Sequence, residues 1–252
     1  MRIRASAAVV GGALALSALA VPAAQASGGQ GDIRITKVVV DGDNKVSVGT
    51  SGAVTVKVSV TATDDSGIKG AEEFDLFGPD DGYASTGKPS CAKVNATTST
   101  CTASVKIDPR TDDLTDKSAG TWYVDAWIDA NDDDYLWKAK AGSFSFQRAS
   151  RLTANAAPEP VRKGRTLTVT GALSRADWET LKYGAYGSQS VQLQFRKKTA
   201  GTYTTLKTVK ADAKGNLRTT TTASVDGYYR FSFAGNSSAS AVSAAGDLVD
   251  VQ

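Results

Sequence analysis

The densest concentration of residues able to do chemistry is Asp129-Ala130-Asn131-Asp132-Asp133-Asp134, with five carboxylate or amide side chains in six positions. Like charges held close raise each other's proton affinity and cost stability unless a cation neutralises them. Calcium takes six to eight hard oxygen ligands, often from Asp, Asn and main-chain carbonyls, so it is the cofactor this composition points to. Asp129, Asn131 and Asp133 have the spacing of the first three ligands of an EF-hand loop. The rest of that motif fails, because Asp134 stands where glycine is required and Lys140 where the bidentate glutamate is required. An Asp-rich hairpin loop is also an ordinary solvated turn, and the two readings stand side by side.

Other chemistries fit less well. The chain has no histidine, which excludes Ser–His–Asp and Cys–His machinery and histidine-ligated zinc. Glu72 and Glu73 are a carboxylate pair, but adjacent residues of a strand point to opposite faces and cannot flank one bond. No enzyme is expected. Trp127, Tyr123 and Trp137, with Tyr135 near the loop, fall on the side of a strand pair away from its apolar row. They form either a platform for sugar rings or a surface packed beneath a loop or against the second half of the chain. Arg196-Lys197-Lys198 with Lys207 and Lys210 form a basic strand pair, suited to an anionic wall polymer or to a solvated edge that discourages strand pairing.

The acidic loop must be positioned by the residues on either side of it. Trp122, Val124, Ala126 and Ile128 alternate with Tyr123, Asp125, Trp127 and Asp129, which predicts a strand with one apolar face in a hairpin from Gly120 to Arg148. Val54, Val56, Val58 and Val60 alternate with polar residues in the same way. From Ile33 to Val40 the apolar parity switches near Thr36, which suggests a bulge or a change of partner strand. Phe74, Leu76 and Phe77, and then Cys101, Ala103, Val105 and Ile107, give further short strands. After residue 149 the pattern restarts, with Leu167 and Val169, then Val191, Leu193 and Phe195, and later Tyr229, Phe231 and Phe233. Ser174 to Ser188 reads as irregular, with room for a helical turn at Arg175 to Leu181. Short strands punctuated by turns, with no sustained helical period, predict antiparallel β-sandwiches.

Residues 1–26 read as a cleaved signal peptide, with Arg2 and Arg4, an apolar run from Ala7 to Val21, and Ala24-Gln25-Ala26 at the cleavage point. Residues 27–148 and 149–252 are the expected domains. The first carries 19 acidic and 13 basic residues and the second 7 and 14, so the halves differ in sign, about −6 and +7. A dipolar chain of this kind does not indicate nucleic acid as a partner. Cys91 and Cys101 are expected to pair in an oxidising compartment. The closed loop is short, and the bond would contribute about 2–3 kcal/mol by chain entropy.

Val58-Ser59-Val60-Thr61-Ala62-Thr63-Asp64-Asp65-Ser66-Gly67-Ile68, the two cysteines and Gly120-Thr121-Trp122-Tyr123-Val124 resemble secreted immunoglobulin-like domains of actinobacteria, of uncharacterised function. The second half is similar to the immunoglobulin-like modules those bacteria append to exported proteins. Val191-Gln192-Leu193-Gln194-Phe195-Arg196, Asp212 with Gly215, and Tyr229-Arg230-Phe231-Ser232-Phe233-Ala234-Gly235 carry that likeness. The resemblance implies two tandem immunoglobulin-like sandwiches, and some members of the group are labelled calcium-binding. With strands lettered A to G, Asp64 and Asp65 fall in the B–C loop and Asp129 to Asp134 in the F–G loop. These loops gather at one end of such a sandwich. The expected metal ligands are Asp129, Asn131 and Asp133 at the centre, with Asp134, Asp64 and Asp65. The whole reads as a secreted, extracellular, non-enzymatic binding or structural protein. A cell-wall polymer or an extracellular protein is the expected class of partner, without membrane insertion; the alternative site is a polysaccharide platform on Trp127, Tyr123 and Trp137.

Overall fold

A computed structural model describes residues 27–252; the targeting segment expected at 1–26 lies outside the described residues. The chain is all-β, with one 3-10 turn at Asp116–Ser118 and no α-helix among the described residues. In the first half the strands are β1 (Ser27–Gln30), β2 (Arg34–Val40), β3 (Lys45–Val48), β4 (Val54–Thr63), β5 (Ile68–Ala71) and β6 (Asp75–Phe77). They continue as β7 (Tyr83–Ser85), β8 (Ser90–Lys93), β9 (Thr98–Ile107), β10 (Gly120–Ala130) and β11 (Tyr135–Arg148). One sheet runs β1-β11-β10-β6-β7, with β3 parallel to β11 and β5 antiparallel to β10. The other runs β2-β4-β9-β8.

The burial of β10 and β4 follows the alternation of their sequences. Trp122, Val124, Ala126, Ile128 and Ala130 are buried on one face of β10, and Val56, Val58 and Val60 are fully buried on β4. Side chains along a strand alternate faces, so these rows can meet only with the two sheets face to face. The parity switch near Thr36 corresponds to a register shift between Ile35 and Lys37 against β4. Cys91 and Cys101 stand directly opposite each other on β8 and β9 and form a disulfide, with Cα atoms 3.9 Å apart.

The second half contains β12 (Ser150–Leu152), β13 (Asn155–Ala157), β14 (Thr166–Asp177), β15 (Lys182–Ala185) and β16 (Ser190–Lys197). It ends with β17 (Thr204–Lys210), β18 (Asn216–Thr222), β19 (Gly227–Phe233), β20 (Val242–Ser243) and β21 (Asp247–Val249). Strand β14 is the centre of one sheet, pairing with β12, β13, β15 and β18, and β17-β16-β19-β20 forms the other, with β21 on β19. Leu167, Leu193, Leu217, Tyr229 and Phe231 fill a second hydrophobic cluster. The stretch from Ser174 to Ser188 is not irregular. Strand β14 continues through Asp177 and β15 returns along it, so the helical turn expected at Arg175 to Leu181 is a β connection.

That connection also joins the two halves. Ala176 and Trp178 are buried in the first hydrophobic cluster, where the Trp178 ring lies 5.4 Å from Phe146. The Trp178 indole N–H donates to Gly49 O at 3.0 Å. Beside it Arg148, 5% exposed, donates from Nε to Ala176 O at 2.5 Å and pairs through Nη2 with Asp116 at 2.6 Å. A buried guanidinium with both an acceptor and a counter-charge avoids the uncompensated desolvation that would otherwise destabilise it. Removing the Trp178 ring leaves a cavity in the other half's core, so Trp178→Ala is expected to cost about 3–5 kcal/mol in denaturant unfolding. A near-neutral result would show that the contact contributes nothing.

Candidate metal site

Three chain segments bring carboxylates to one end of the first half. Strand β4 ends at Thr63, and the turn that follows is closed by Gly67 N–H donating to Asp64 O at 3.1 Å. The hairpin β10–β11 turns at the same height, with Ala130 N–H donating to Asp134 O at 2.8 Å. The two turns are tied together, since Asn131 N–H donates to Gly67 O at 3.0 Å and Asn131 Nδ2 to Ser66 O at 2.8 Å. The third segment is Gly31-Asp32, between β1 and β2. Asp32 N–H donates to Asp134 Oδ2 at 3.3 Å. Gly31 has φ +91°, a backbone conformation that favours glycine, and an added Cβ would fall 1.3 Å from Asp134 Oδ2.

Asp64 is at the centre. It is 3% exposed, and its Oδ1 accepts from Ser66 N–H at 2.9 Å and from Ser66 Oγ–H at 2.6 Å. Its Oδ2 is buried with no hydrogen-bond partner. Carboxylate oxygens of Asp32, Asp64 and Asp134 lie within 4.8 Å of one another, and so do those of Asp64, Asp65 and Asp132. A buried carboxylate oxygen without a donor is costly. Clustered Asp oxygens match the hard-oxygen preference of calcium.

The six expected ligands divide between two sides of the loop. Asp64 groups with Asp134 and Asp32, and separately with Asp65 and Asp132. Asp129 and Asp133 are not part of either group. Asp129 continues the outward row of β10 and accepts from Trp127 Nε1–H at 2.9 Å. Asp133, with φ +71°, pairs with Lys69 of β5 at 3.3 Å, and its side chain is 89% exposed. Asn131 spends its amide N–H on Ser66 O and acts as a brace between turns. Asp32 was missing from the expected set. It follows a glycine-rich leader and precedes the first apolar residue of β2, so nothing in its local pattern links it to residues a hundred positions away.

Of the aromatic residues, Trp127 and Tyr135 are 38% and 37% exposed and stack with ring centroids 5.4 Å apart and planes 12° apart. Tyr123 is covered by Lys140 Nζ, 4.6 Å from its ring centre. Trp137 is half-buried opposite Trp127 on the neighbouring strand.

No family model and no curated protein matches this chain. Among solved structures it is similar to a DUF4785 family protein of Legionella pneumophila (13% identity, TM-score 0.39), covering 77% of this chain and 51% of that one. It is also similar to Salmonella alpha-2-macroglobulin reacted with methylamine (12% identity, TM-score 0.32), over 84% of this chain and 14% of that one. A third likeness is to the Yersinia pseudotuberculosis adhesin InvE (12% identity, TM-score 0.29), over 88% and 61%. The chain thus spans about half the length of the Legionella protein. These likenesses identify neither a family nor a function.

The Asp32 carboxyl is raised above its ordinary range. The largest cause is the side chain of Asp64 beside it, followed by desolvation and by repulsion from Asp65, Asp64 and Asp134. A carboxyl whose folded-state affinity for protons exceeds its unfolded one contributes stability at low pH, and loses it as pH rises past the unfolded value and through the folded one. Asp32→Asn removes a charge and keeps a donor for Asp64. In chelator it is expected to raise the melting temperature relative to the parent at pH 7, with the difference shrinking below about pH 4. A variant less stable than the parent at pH 7 would show that the cluster is not repulsive.

Proposed function

We propose that this chain is an exported, non-enzymatic protein of two immunoglobulin-like sandwiches, whose first half binds calcium at its loop end and is rigidified by it. The observation that carries the reading is Asp64, whose Oδ2 is buried without a hydrogen-bond partner and whose carboxylate lies in two groups of three acidic side chains. Such an arrangement is unfavourable with the site apo and becomes favourable when a divalent cation supplies the missing charge. The ligands are Asp64, Asp32 and Asp134, extended by Asp65 and Asp132, rather than Asp129 and Asp133. The ion would fasten the Gly31-Asp32 segment to the two turns. Its role in this reading is mechanical, holding the three segments together. Export is supported by the Cys91–Cys101 disulfide, a bond favoured in oxidising compartments.

Extracellular calcium modules bind at about 10⁻⁴–10⁻³ M. At 10 mM calcium a folded-state ligand of that affinity stabilises by about 1.4–2.7 kcal/mol, and the melting temperature is expected to rise by several degrees. Magnesium, which demands tighter octahedral geometry, should produce a smaller rise. The calcium effect is expected to vanish in Asp64→Asn and Asp134→Asn and to persist in Asp133→Asn. Superimposable melting curves with and without calcium would refute the proposal. Loss of the effect in Asp133→Asn alone would move the site to the other side of the loop.

A further inference from the structure

The outer face of the β10–β11 hairpin carries a second feature, which adjoins the cation site at Asp134. Trp127 lies between two adjoining clefts on this face. One, of about 380 Å³, is bordered by Tyr135, Lys69, Lys88, Glu72 and Asp129. The other, of about 190 Å³, is bordered by Trp137, Glu73, Asp75 and Asp125, and Glu72 and Trp127 are common to both. The near-parallel Trp127 and Tyr135 rings are held as a pair, and the indole is locked in place by its hydrogen bond to Asp129. Around them Lys69 pairs with Asp133 at 3.3 Å and Lys88 with Glu72 at 3.5 Å, and the remaining ionic side chains along the clefts are carboxylates.

We infer that this face binds an uncharged oligosaccharide, with one sugar ring stacked against the Trp127–Tyr135 pair and the next lying toward Trp137. Sugar rings present C–H faces that pack on aromatic surfaces and hydroxyls that need both donors and acceptors. The ammonium groups of Lys69 and Lys88 supply donors, and the carboxylates of Glu72 and Asp129 supply acceptors. An anionic polymer, nucleic acid included, would meet the carboxylates of Glu72, Glu73, Asp75 and Asp125 along the groove, and like charge opposes it. An apolar protein surface would find only a few aromatic rings set among charges, far from the depleted-charge centre of a protein interface. A neutral polyol chain suits the rings and, through its hydroxyl donors, the carboxylates along the groove.

The test is fluorescence titration and affinity electrophoresis of the described chain, residues 27–252, with cellohexaose, maltohexaose and chitohexaose, run in chelator so that it does not depend on calcium. At least one oligosaccharide is expected to bind saturably, and Trp127→Ala to weaken it about tenfold or more. Both rings are substantially exposed, so Trp127→Ala and Tyr135→Ala should melt within a few degrees of the parent, and either variant serves if the other does not fold. Absence of binding by all three sugars, or unchanged affinity in a folded Trp127→Ala or Tyr135→Ala variant, would overturn the inference. Sugar binding without any effect of calcium on stability would leave the inference standing and remove the cation reading alone.

Discussion

The strict alternation along β10 is the constraint on which the rest of the first half depends. With Trp122, Val124, Ala126, Ile128 and Ala130 committed to the core, register cannot slip by one residue without turning the whole row into water. The tip of the hairpin is thereby fixed at the height where β4 ends, and the acidic turn after Ala130 meets the turn after Thr63. The same alternation sends Trp127 and Asp129 to the outer face. One strand therefore builds two different surfaces: a carboxylate cluster at its end and an aromatic groove along its side.

Within the cluster, burial makes Asp64 different from its neighbours. An exposed carboxylate near other carboxylates relaxes by rotating into water, at little cost. Asp64 is fixed through Oδ1 by two donors from Ser66 and is enclosed, so its second oxygen has no such escape. A divalent cation would relieve that repulsion. Protons compete with a cation for carboxylates, so cation affinity should fall in acid.

Much of this architecture could be read from residue patterns. The valine row of β4, the hairpin row of β10 and the shift after Ile35 each left a period-two signature, and the convergence of the two acidic turns followed from strand order. Which carboxylates lie together did not follow in the same way. Asp129, Asn131 and Asp133 are evenly spaced in sequence, but Asp129 still belongs to a strand, Asn131 braces a turn, and Asp133 adopts a left-handed backbone that turns it toward Lys69. Periodicity stops where a strand becomes a turn, so alternate spacing there no longer means a common direction. Asp32 and Trp178 escaped for a related reason. Each acts on a part of the fold far from it in sequence, and neither lies in a pattern that local periodicity can detect.

The most direct measurement is equilibrium dialysis of radioactive calcium against the parent chain and Asp64→Asn, with Asp133→Asn alongside. The account predicts saturable binding of about one ion per chain with a dissociation constant near 10⁻⁴–10⁻³ M, lost in Asp64→Asn and retained in Asp133→Asn. No saturable binding up to 10 mM, or equal binding by the parent and Asp64→Asn, would contradict it.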